Sequence, residues 1–457
     1  MRIIILGAGQ VGTTLAEQLT NEHNDITIVD RDEDRLRALH ECMDIRTIAG
    51  HAAYPSTLKK SGAEEADMLI AVTCDDETNL VACQVAYTLF QIPTKIARIR
   101  SLQYLAHEEL FGVSAFPVDV LISPEQIVTN YIQRLIEYPN ALQVLDFADQ
   151  KVQLVSVKAK AKGGNLVGLP VKALSSHLPN IEARIVALFR EGIPVIPEGS
   201  TIIEPDDEVF FLAEKAHVRQ VMAELTQLDR LNKRIFIAGG GNIGTRLAAA
   251  LQDKFQVKII ERSRERVAIL ATELSTGIVL EGDAADKDLL LSENIEDTDV
   301  FCAVTNNDET NIISALLAKR LKARKVMALI TRPSLVDVVE GGEIDTVISP
   351  QQITIGSLLT HVRRGHIINV HSLRRGTAEA IELSIDGTSK TSAVVGRIIK
   401  DIELPTGVTI GAIVRKNQIL MGHHDITLEP NDRVILFLVD KRKVRQVERL
   451  FQEQINF

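Results

Sequence analysis

The chain repeats itself once, and each copy opens on the same glycine-rich motif. Ile3-Ile4-Ile5-Leu6-Gly7-Ala8-Gly9-Gln10-Val11-Gly12 returns 232 residues later as Ile235-Phe236-Ile237-Ala238-Gly239-Gly240-Gly241-Asn242-Ile243-Gly244. At the same offset Ala71-Val72-Thr73 returns as Ala303-Val304-Thr305, and Asp76-Glu77-Thr78-Asn79 as Asp308-Glu309-Thr310-Asn311. Gly50-His51-Ala52 meets Gly282-Asp283-Ala284. Further on the offset drifts, so that Ser123-Pro124 meets Ser349-Pro350 and Glu204-Pro205-Asp206-Asp207 meets Glu429-Pro430-Asn431-Asp432. The matches keep their order, so the halves are copies of one fold. A chain of 457 residues, too long for one ordinary core, resolves into a duplicated pair of lobes.

In the first copy, residues 2–6, 26–30, 45–49, 68–73, 95–100 and 118–122 read as short apolar or β-branched strands. Helical patterns such as 32–43 and 75–91 separate them. That alternation predicts βαβ units and a parallel sheet covered on both faces. Ser123-Pro124-Glu125 opens an amphipathic helix, with proline in its first turn. From residue 141 the texture changes to alternating strands at 152–157, 184–189 and 208–212, with helices near 171–178 and 217–228. The expected class is α/β, each copy a Rossmann-like parallel-sheet domain followed by a small α+β domain. The expected boundaries are 1–123, a crossover helix at 124–140, and 141–228, then 233–349, 350–366 and 367–457.

A GxGxxG alone is weak evidence. Here it follows a buried strand, opens a helix, and is followed 18 residues after Gly12 by Asp30 at the end of the next strand. That context is the dinucleotide fingerprint. Gly7 permits the tight turn, Gly9 the approach of a pyrophosphate, and Gly12 close contact of helix and strand, with the helix N–H groups facing the phosphates. Asp30 can take both ribose hydroxyls and repels a 2′-phosphate, which favours NAD over NADP. The second copy keeps Gly239, Gly241 and Gly244 and puts Glu261 at the strand end. It loses the strand-five arginines: Arg98 and Arg100 become Ala328 and Ile330. Arg98, on the ligand edge of the sheet, could reach a phosphate or form a surface ion pair. Thr73, Asp76 and Asn79, repeated as Thr305, Asp308 and Asn311, cap a helix and compensate its dipole, set the Thr73-Cys74 and Thr305-Asn306 backbone beside adenine or ribose, or do both. His51 borders the ligand or is an ordinary loop histidine. Cys74 and Cys83 are expected to be packed thiols, since no base accompanies them.

Other classes fit poorly. Aromatics make up 4% and tryptophan is absent, which leaves no stacking platforms for single-stranded nucleic acid. The net charge of −10 argues against a phosphate-backbone binder. That acidity sits in one copy: residues 1–231 carry 21 Lys+Arg against 32 Asp+Glu, and residues 232–457 carry 30 against 29. No apolar run approaches the roughly 20 residues of a membrane span, and the apolar start is cut short by Gly7. Four cysteines without a CxxC pair or histidine partners at zinc spacing point to a reduced, cytoplasmic chain without structural metal. A dehydrogenase needs a second domain carrying an acid or base. The small domains show no such constellation, and the one histidine pair, His423-His424, has no counterpart in the first copy. A nucleotide-responsive regulator fits better than the alternative, an NAD-dependent oxidoreductase.

These motifs, with Ala82-Cys83-Gln84-Val85-Ala86-Tyr87, Arg134-Leu135-Ile136-Glu137-Tyr138-Pro139 and Ser372-Leu373-Arg374-Arg375-Gly376, give a sequence that resembles a known family over its whole length. It is the tandem RCK (regulator of K⁺ conductance) family, the cytosolic regulatory subunits of bacterial Trk potassium uptake systems. The resemblance implies a homo-oligomer, a tetrameric ring, on the cytoplasmic face of the inner membrane. Its partner would be a membrane-embedded K⁺ channel-like subunit of the TrkH/TrkG type. NAD(H) and ATP/ADP would bind, and rearrangement of the ring would change ion flow. Carried over by position, the first site holds Gly7, Ala8, Gly9, Gln10, Val11, Gly12, Asp30, Thr73, Cys74 and Arg98. The second holds Gly239, Gly240, Gly241, Asn242, Ile243, Gly244, Glu261, Thr305 and Asn306. No catalytic or metal-binding residue is implied. Ala328 in place of an arginine, and His51 where many relatives carry Asp, set the two sites apart.

Overall fold

The computed structural model describes residues 1–21, 24–112, 114–162, 164–227, 231–339, 342–362, 367–373, 377–389, 391–416, 418–422 and 425–452. The His423-His424 pair and residues 374–376 of the quoted motif lie outside them.

The first sheet comprises β1 (Arg2–Leu6), β2 (Asp25–Asp30), β3 (Arg46–Ala49), β4 (Met68–Ala71), β5 (Thr94–Arg98) and β6 (Val120–Ile122). All pairings are parallel, in the order β3-β2-β1-β4-β5-β6. The central strands are sealed on both faces: Ile3 to Leu6 and Met68 to Ala71 are buried without alternation, as a sheet between two helical layers requires. The chain runs outward from β1 to β3 and then returns to β4 on the other side of β1. The C-terminal ends of β1 and β4 therefore flank the crevice where α/β sheets take ligands.

A small antiparallel sheet follows, built from β7 (Ala141–Phe147), β8 (Val152–Lys158), β9 (Ala183–Arg190), β10 (Ile193–Val195) and β11 (Glu208–Glu214) in the order β10-β9-β11-β8-β7. The alternating sequence pattern marks neither β7 nor β10. β7 buries its residues irregularly rather than alternately, and β10 is three residues long.

The second copy reproduces both sheets. β12 (Arg234–Ala238), β13 (Gln256–Glu261), β14 (Ile278–Glu281), β15 (Val300–Ala303), β16 (Lys325–Leu329) and β17 (Thr346–Ile348) run in the order β14-β13-β12-β15-β16-β17. β18 (Ile367–Leu373), β19 (Ala378–Ser384), β20 (Val408–Arg415), β21 (Gln418–Met421) and β22 (Arg433–Leu438) pair as β18-β19-β22-β20-β21.

The compact units do not coincide with the sequence copies. One unit comprises Met1–Ile127 with Ile353–His361, and the other Val128–Gln352 with Val362–Phe457. The reason the second is larger is a shared core: the two antiparallel sheets bury Phe147, Val186, Phe210, Leu212, Ala412, Val414 and Phe437 together. Phe210 of the first copy lies 5.3 Å, centroid to centroid, from Phe437 of the second. Each helix that follows a parallel sheet, Pro124–Glu137 and Pro350–Val362, has residues in both units.

His371 on β18 sits in this shared core, edge-on to Phe147 at 4.9 Å, with its Nε2 3.1 Å from the carbonyl oxygen of Asp146. Burial pushes its pKa from 6.5 down to about 4. The folded chain thus refuses a proton that the unfolded chain accepts. Stability is unaffected above pH 6.5 and falls between pH 6.5 and pH 4, by up to ~1.4 kcal/mol per unit. Urea titrations across that range should show the slope in the native chain and a flatter one in His371→Gln; equal slopes would refute the assignment.

Candidate functional site

Each parallel sheet ends in the same loop. β1 stops at Leu6, Gly7 turns at φ 108°, and helix Gln10–Asn21 begins three residues on. A Cβ on Gly12 would lie 1.9 Å from the carbonyl oxygen of Gly7, so the helix can start this close to the strand only because residue 12 has no side chain. Nothing stands within 4 Å of where a Cβ on Gly9 would be, which leaves that face of the loop open. The second loop is a near copy: Gly239 turns at φ 109°, a Cβ on Gly244 would lie 1.8 Å from the Gly239 oxygen, and Gly241 is open. A helix N-terminus approached through an open glycine suits a pyrophosphate.

The acidic residues brace these loops. Asp30 accepts from Ala8 N–H through Oδ2 at 2.6 Å and from Asp32 N–H through Oδ1 at 3.0 Å. Glu261 does the same with Gly240 N–H at 2.7 Å and Ser263 N–H at 2.8 Å. Glutamate is one methylene longer, and its partner is accordingly Gly240 where the first copy has Ala8. A Cβ there would lie 2.5 Å from Leu270 Cδ1 and 3.0 Å from Glu261 Oε2. Each carboxylate oxygen keeps a lone pair for a hydroxyl donor beyond the loop.

Beyond β4, Thr73 N lies 3.1 Å from where a Gly7 Cβ would be, so this segment walls the loop. Its conformation is held by Asn79, fully buried, whose Oδ1 accepts from Thr73 N–H at 3.0 Å and Thr73 Oγ1 at 2.7 Å while Nδ2 donates to Arg98 O at 2.9 Å. Asn311 repeats all three bonds with Thr305 and Leu329 O. The capping expectation needs correcting. The caps are Asp75 and Asn307, while Asp76 and Asp308 instead accept the N–H groups of Arg100 and Ser101, and of Thr331 and Arg332. These residues tie the end of β4 to the end of β5. Asn306 follows Thr305 in the same wall. Cys74 is exposed, which corrects the expectation of a packed thiol. Cys83 fits that expectation, as burial pushes its thiol up to about 12.

Of the two expectations for Arg98, the surface ion pair needs correcting. Arg98 Nη2 donates to Glu125 Oε1 at 3.2 Å, and Arg100 Nε lies 3.7 Å from the same oxygen. Both partners of the Arg98 pair are mostly buried, 16% and 12% exposed, so this is no surface pair. Burial lowers the Arg98 pKa, and the charge of Glu125 opposes that. Strand register corrects the sequence alignment: Ala328 pairs with Ala303 as Ala97 pairs with Ala71. Leu329 and Thr331, rather than Ala328 and Ile330, therefore stand where the first copy has Arg98 and Arg100, and Gln351, whose amide donates to Thr331 O, stands in place of Glu125.

One residue escaped the sequence reading. Arg266 Nη2 donates to Gly240 O at 2.8 Å and Thr245 Oγ1 at 3.3 Å, placing a cation on the second glycine loop. Its counterpart Arg35 pairs instead with Asp32, the helix N-cap, at 3.1 Å. The second copy caps with Ser263, which carries no charge to retain the arginine. The substitution of an acidic cap by a serine was the available signal. Among the described residues, no cluster of three or more His, Cys, Asp or Glu could hold a metal ion, and no helix is long and apolar enough to cross a membrane.

The TrkA-N domain matches residues 3–124 and 235–350, and the TrkA-C domain matches 154–226 and 389–452. The Trk system potassium uptake protein TrkA of Halomonas elongata is 58% identical over 457 residues, spanning 100% of both chains. The chain belongs to the TrkA family. Its relatives in Vibrio alginolyticus (58% identical, 99% of both chains) and Haemophilus influenzae (47%, 100% of both) bear the same description. Those names are of potassium uptake proteins, which sets aside the oxidoreductase alternative. Solved structures agree on the fold: the GsuK RCK domain superposes with a TM-score of 0.62 at 19% identity, covering 98% of this chain and 94% of that one. The GsuK channel bound to NAD gives 0.62 at 18%, covering 98% and 78%. The chain is thus two tandem TrkA-N/TrkA-C repeats in an RCK-type fold.

Proposed function

We propose that this chain is the nucleotide-binding regulatory subunit of a Trk-type potassium uptake system. Both parallel-sheet lobes bind NAD(H) or ATP/ADP, and binding changes K⁺ flow through a TrkH/TrkG-type membrane subunit. A homo-oligomeric ring of four chains sits on the cytoplasmic face of the membrane. The observation that carries this reading is the double preservation of a braced glycine loop in a TrkA-family chain. Gly7–Gly12 with Asp30, and Gly239–Gly244 with Glu261, keep the same turn, the same open glycine and the same carboxylate bonds. Thr73, Cys74 and Arg98 line the first site, Thr305 and Asn306 the second. A solved neighbour bound to NAD and another bound to ADP (TM-score 0.50) support the ligand class. Gating is then linkage: a nucleotide shifts the ring by its difference in affinity for two ring shapes. The helices Pro124–Glu137 and Pro350–Val362, each shared by two compact units, are the hinge elements of this scheme.

Asp30→Ala removes the ribose acceptor and also releases the Ala8 and Asp32 N–H groups, so nucleotide affinity at the first lobe should fall at least tenfold. Asp30→Asn keeps a loop acceptor and should fall less. K⁺ uptake by vesicles containing the membrane subunit and Asp30→Ala should lose its nucleotide response. An unchanged response would refute the reading.

A further inference from the structure

A pocket of about 540 Å³ opens beside the first glycine loop, lined by Arg31, Glu33, Ala49, Gly50, His51 and Tyr54. It adjoins the strand end that carries Asp30, since Gly50 N–H donates to Asp30 O at 2.8 Å. Two aromatic rings form part of its wall. His51 and Tyr54 stack with centroids 4.3 Å apart and planes 11° apart, and Tyr54 is 58% exposed. In a chain with few aromatic residues, this shelf lies where the base of a nucleotide held at Asp30 would extend. The His51 ring is fixed: its Nδ1 accepts from Ala53 N–H at 3.1 Å, so the neutral ring carries its proton on Nε2. Burial, and then the charge of Arg31, hold its pKa below the ordinary value against the pull of Asp75, which favours that neutral form.

The second copy closes the same turn with a different acceptor. Asp283 Oδ1 accepts from Ala285 N–H at 2.9 Å, and Gly282 N–H donates to Glu261 O at 3.0 Å. At the position of Tyr54 stands Asp286, whose carboxylate caps helix Lys287–Ser292. The aromatic shelf is gone, and an exposed carboxylate takes the place of the imidazole.

Resting on the nucleotide reading of both lobes, we propose that the two lobes read the purine by different chemistry. The His51–Tyr54 shelf holds the base by its face, and Asp283 holds it by the exocyclic amino group. Stacking is indifferent to the substituent at C6, and the Nε2–H of His51 finds acceptors common to both bases, N3 and N7, so it need not discriminate between adenine and hypoxanthine. A carboxylate accepts from the amino group of adenine but meets the carbonyl oxygen of hypoxanthine, an acceptor against an acceptor. The first lobe therefore tolerates inosine nucleotides, and the second selects adenosine nucleotides.

The test is calorimetric titration of the full-length chain with ADP and with inosine diphosphate, Gly244→Ala serving to assign the lobes. ADP should fill both lobes, whereas inosine diphosphate should match ADP within about threefold at the first lobe and bind at least tenfold more weakly at the second. Tyr54→Ala should lower both affinities at the first lobe about tenfold and equally. His51→Asp should give the first lobe the selectivity of the second. Equal discrimination at the two lobes, or unchanged first-lobe affinity in Tyr54→Ala, overturns the proposal. Failure of ADP to bind either lobe overturns the nucleotide reading itself, a separate outcome.

Discussion

Gly12→Ala should abolish nucleotide binding at the first lobe, and Gly244→Ala at the second, each leaving the other lobe at full affinity. The added methyl carbon would lie 1.9 Å or 1.8 Å from the carbonyl oxygen of Gly7 or Gly239. The obstacle is backbone, so no rotamer change relieves it; the helix must move off the strand end. Overpacking of this kind costs about 1–3 kcal/mol of stability, and it withdraws the helix N-terminus from the loop it completes. Affinity at the altered lobe should fall at least hundredfold, read as one bound nucleotide per chain where the native chain binds two. Gly9→Ala separates the two effects. A Cβ there meets no protein atom within 4 Å, so the denaturation midpoint should stay unchanged while the methyl stands where the phosphates approach. Loss of stability without loss of binding in Gly12→Ala, or native affinity in Gly9→Ala, would remove the glycine loop from the binding function.

The loop could be read from sequence because each of its constraints is local. Gly7, Gly9 and Gly12 lie within six residues, and Asp30 follows at the end of the next strand. What escaped is long-range. Arg98 meets Glu125 across 27 residues, through the β5-to-β6 connection, and nothing in the strand pattern announces that a helix start will bring the carboxylate there. Arg266 and Arg35 occupy matching helix positions yet point to different partners, and the difference is made by one neighbour, Ser263 or Asp32. Asp76 looked like a cap because it is acidic and early in its helix. The residue before it caps instead, leaving Asp76 to bind the chain after β5. Duplication itself misled on one point. Equal copies suggest equal halves, whereas the two antiparallel sheets share a core and so gather into one unit, a result of face complementarity that no repeat alignment expresses.

That shared core contains the other substitution of large expected effect. Glu382, on β19, has a fully buried side chain, and Arg433 on β22 donates to its Oε1 through Nε at 2.7 Å. Its other oxygen accepts from Asn369 Nδ2 at 2.8 Å and from the Ala148 N–H of the first copy at 3.2 Å. Arg433 Nη1 also reaches Asp149 of the first copy at 2.7 Å. At the matching register positions the first copy has Ser156 and Glu208, joined by a 2.9 Å hydrogen bond and carrying no arginine. The join is therefore asymmetric: the second copy supplies both members of the buried pair, and the first supplies a backbone donor and an exposed carboxylate. Arg433→Ala leaves Glu382 charged and buried, which costs about 3–5 kcal/mol. Glu382→Gln alone keeps a neutral acceptor and should cost less. Replacing both together, as Arg433→Met with Glu382→Leu, removes the charges instead of stranding one and should recover most of the loss. Urea midpoints of the three variants decide the matter. If the double replacement is no more stable than Arg433→Ala, the loss comes from the side-chain volume of Arg433 rather than from an uncompensated carboxylate.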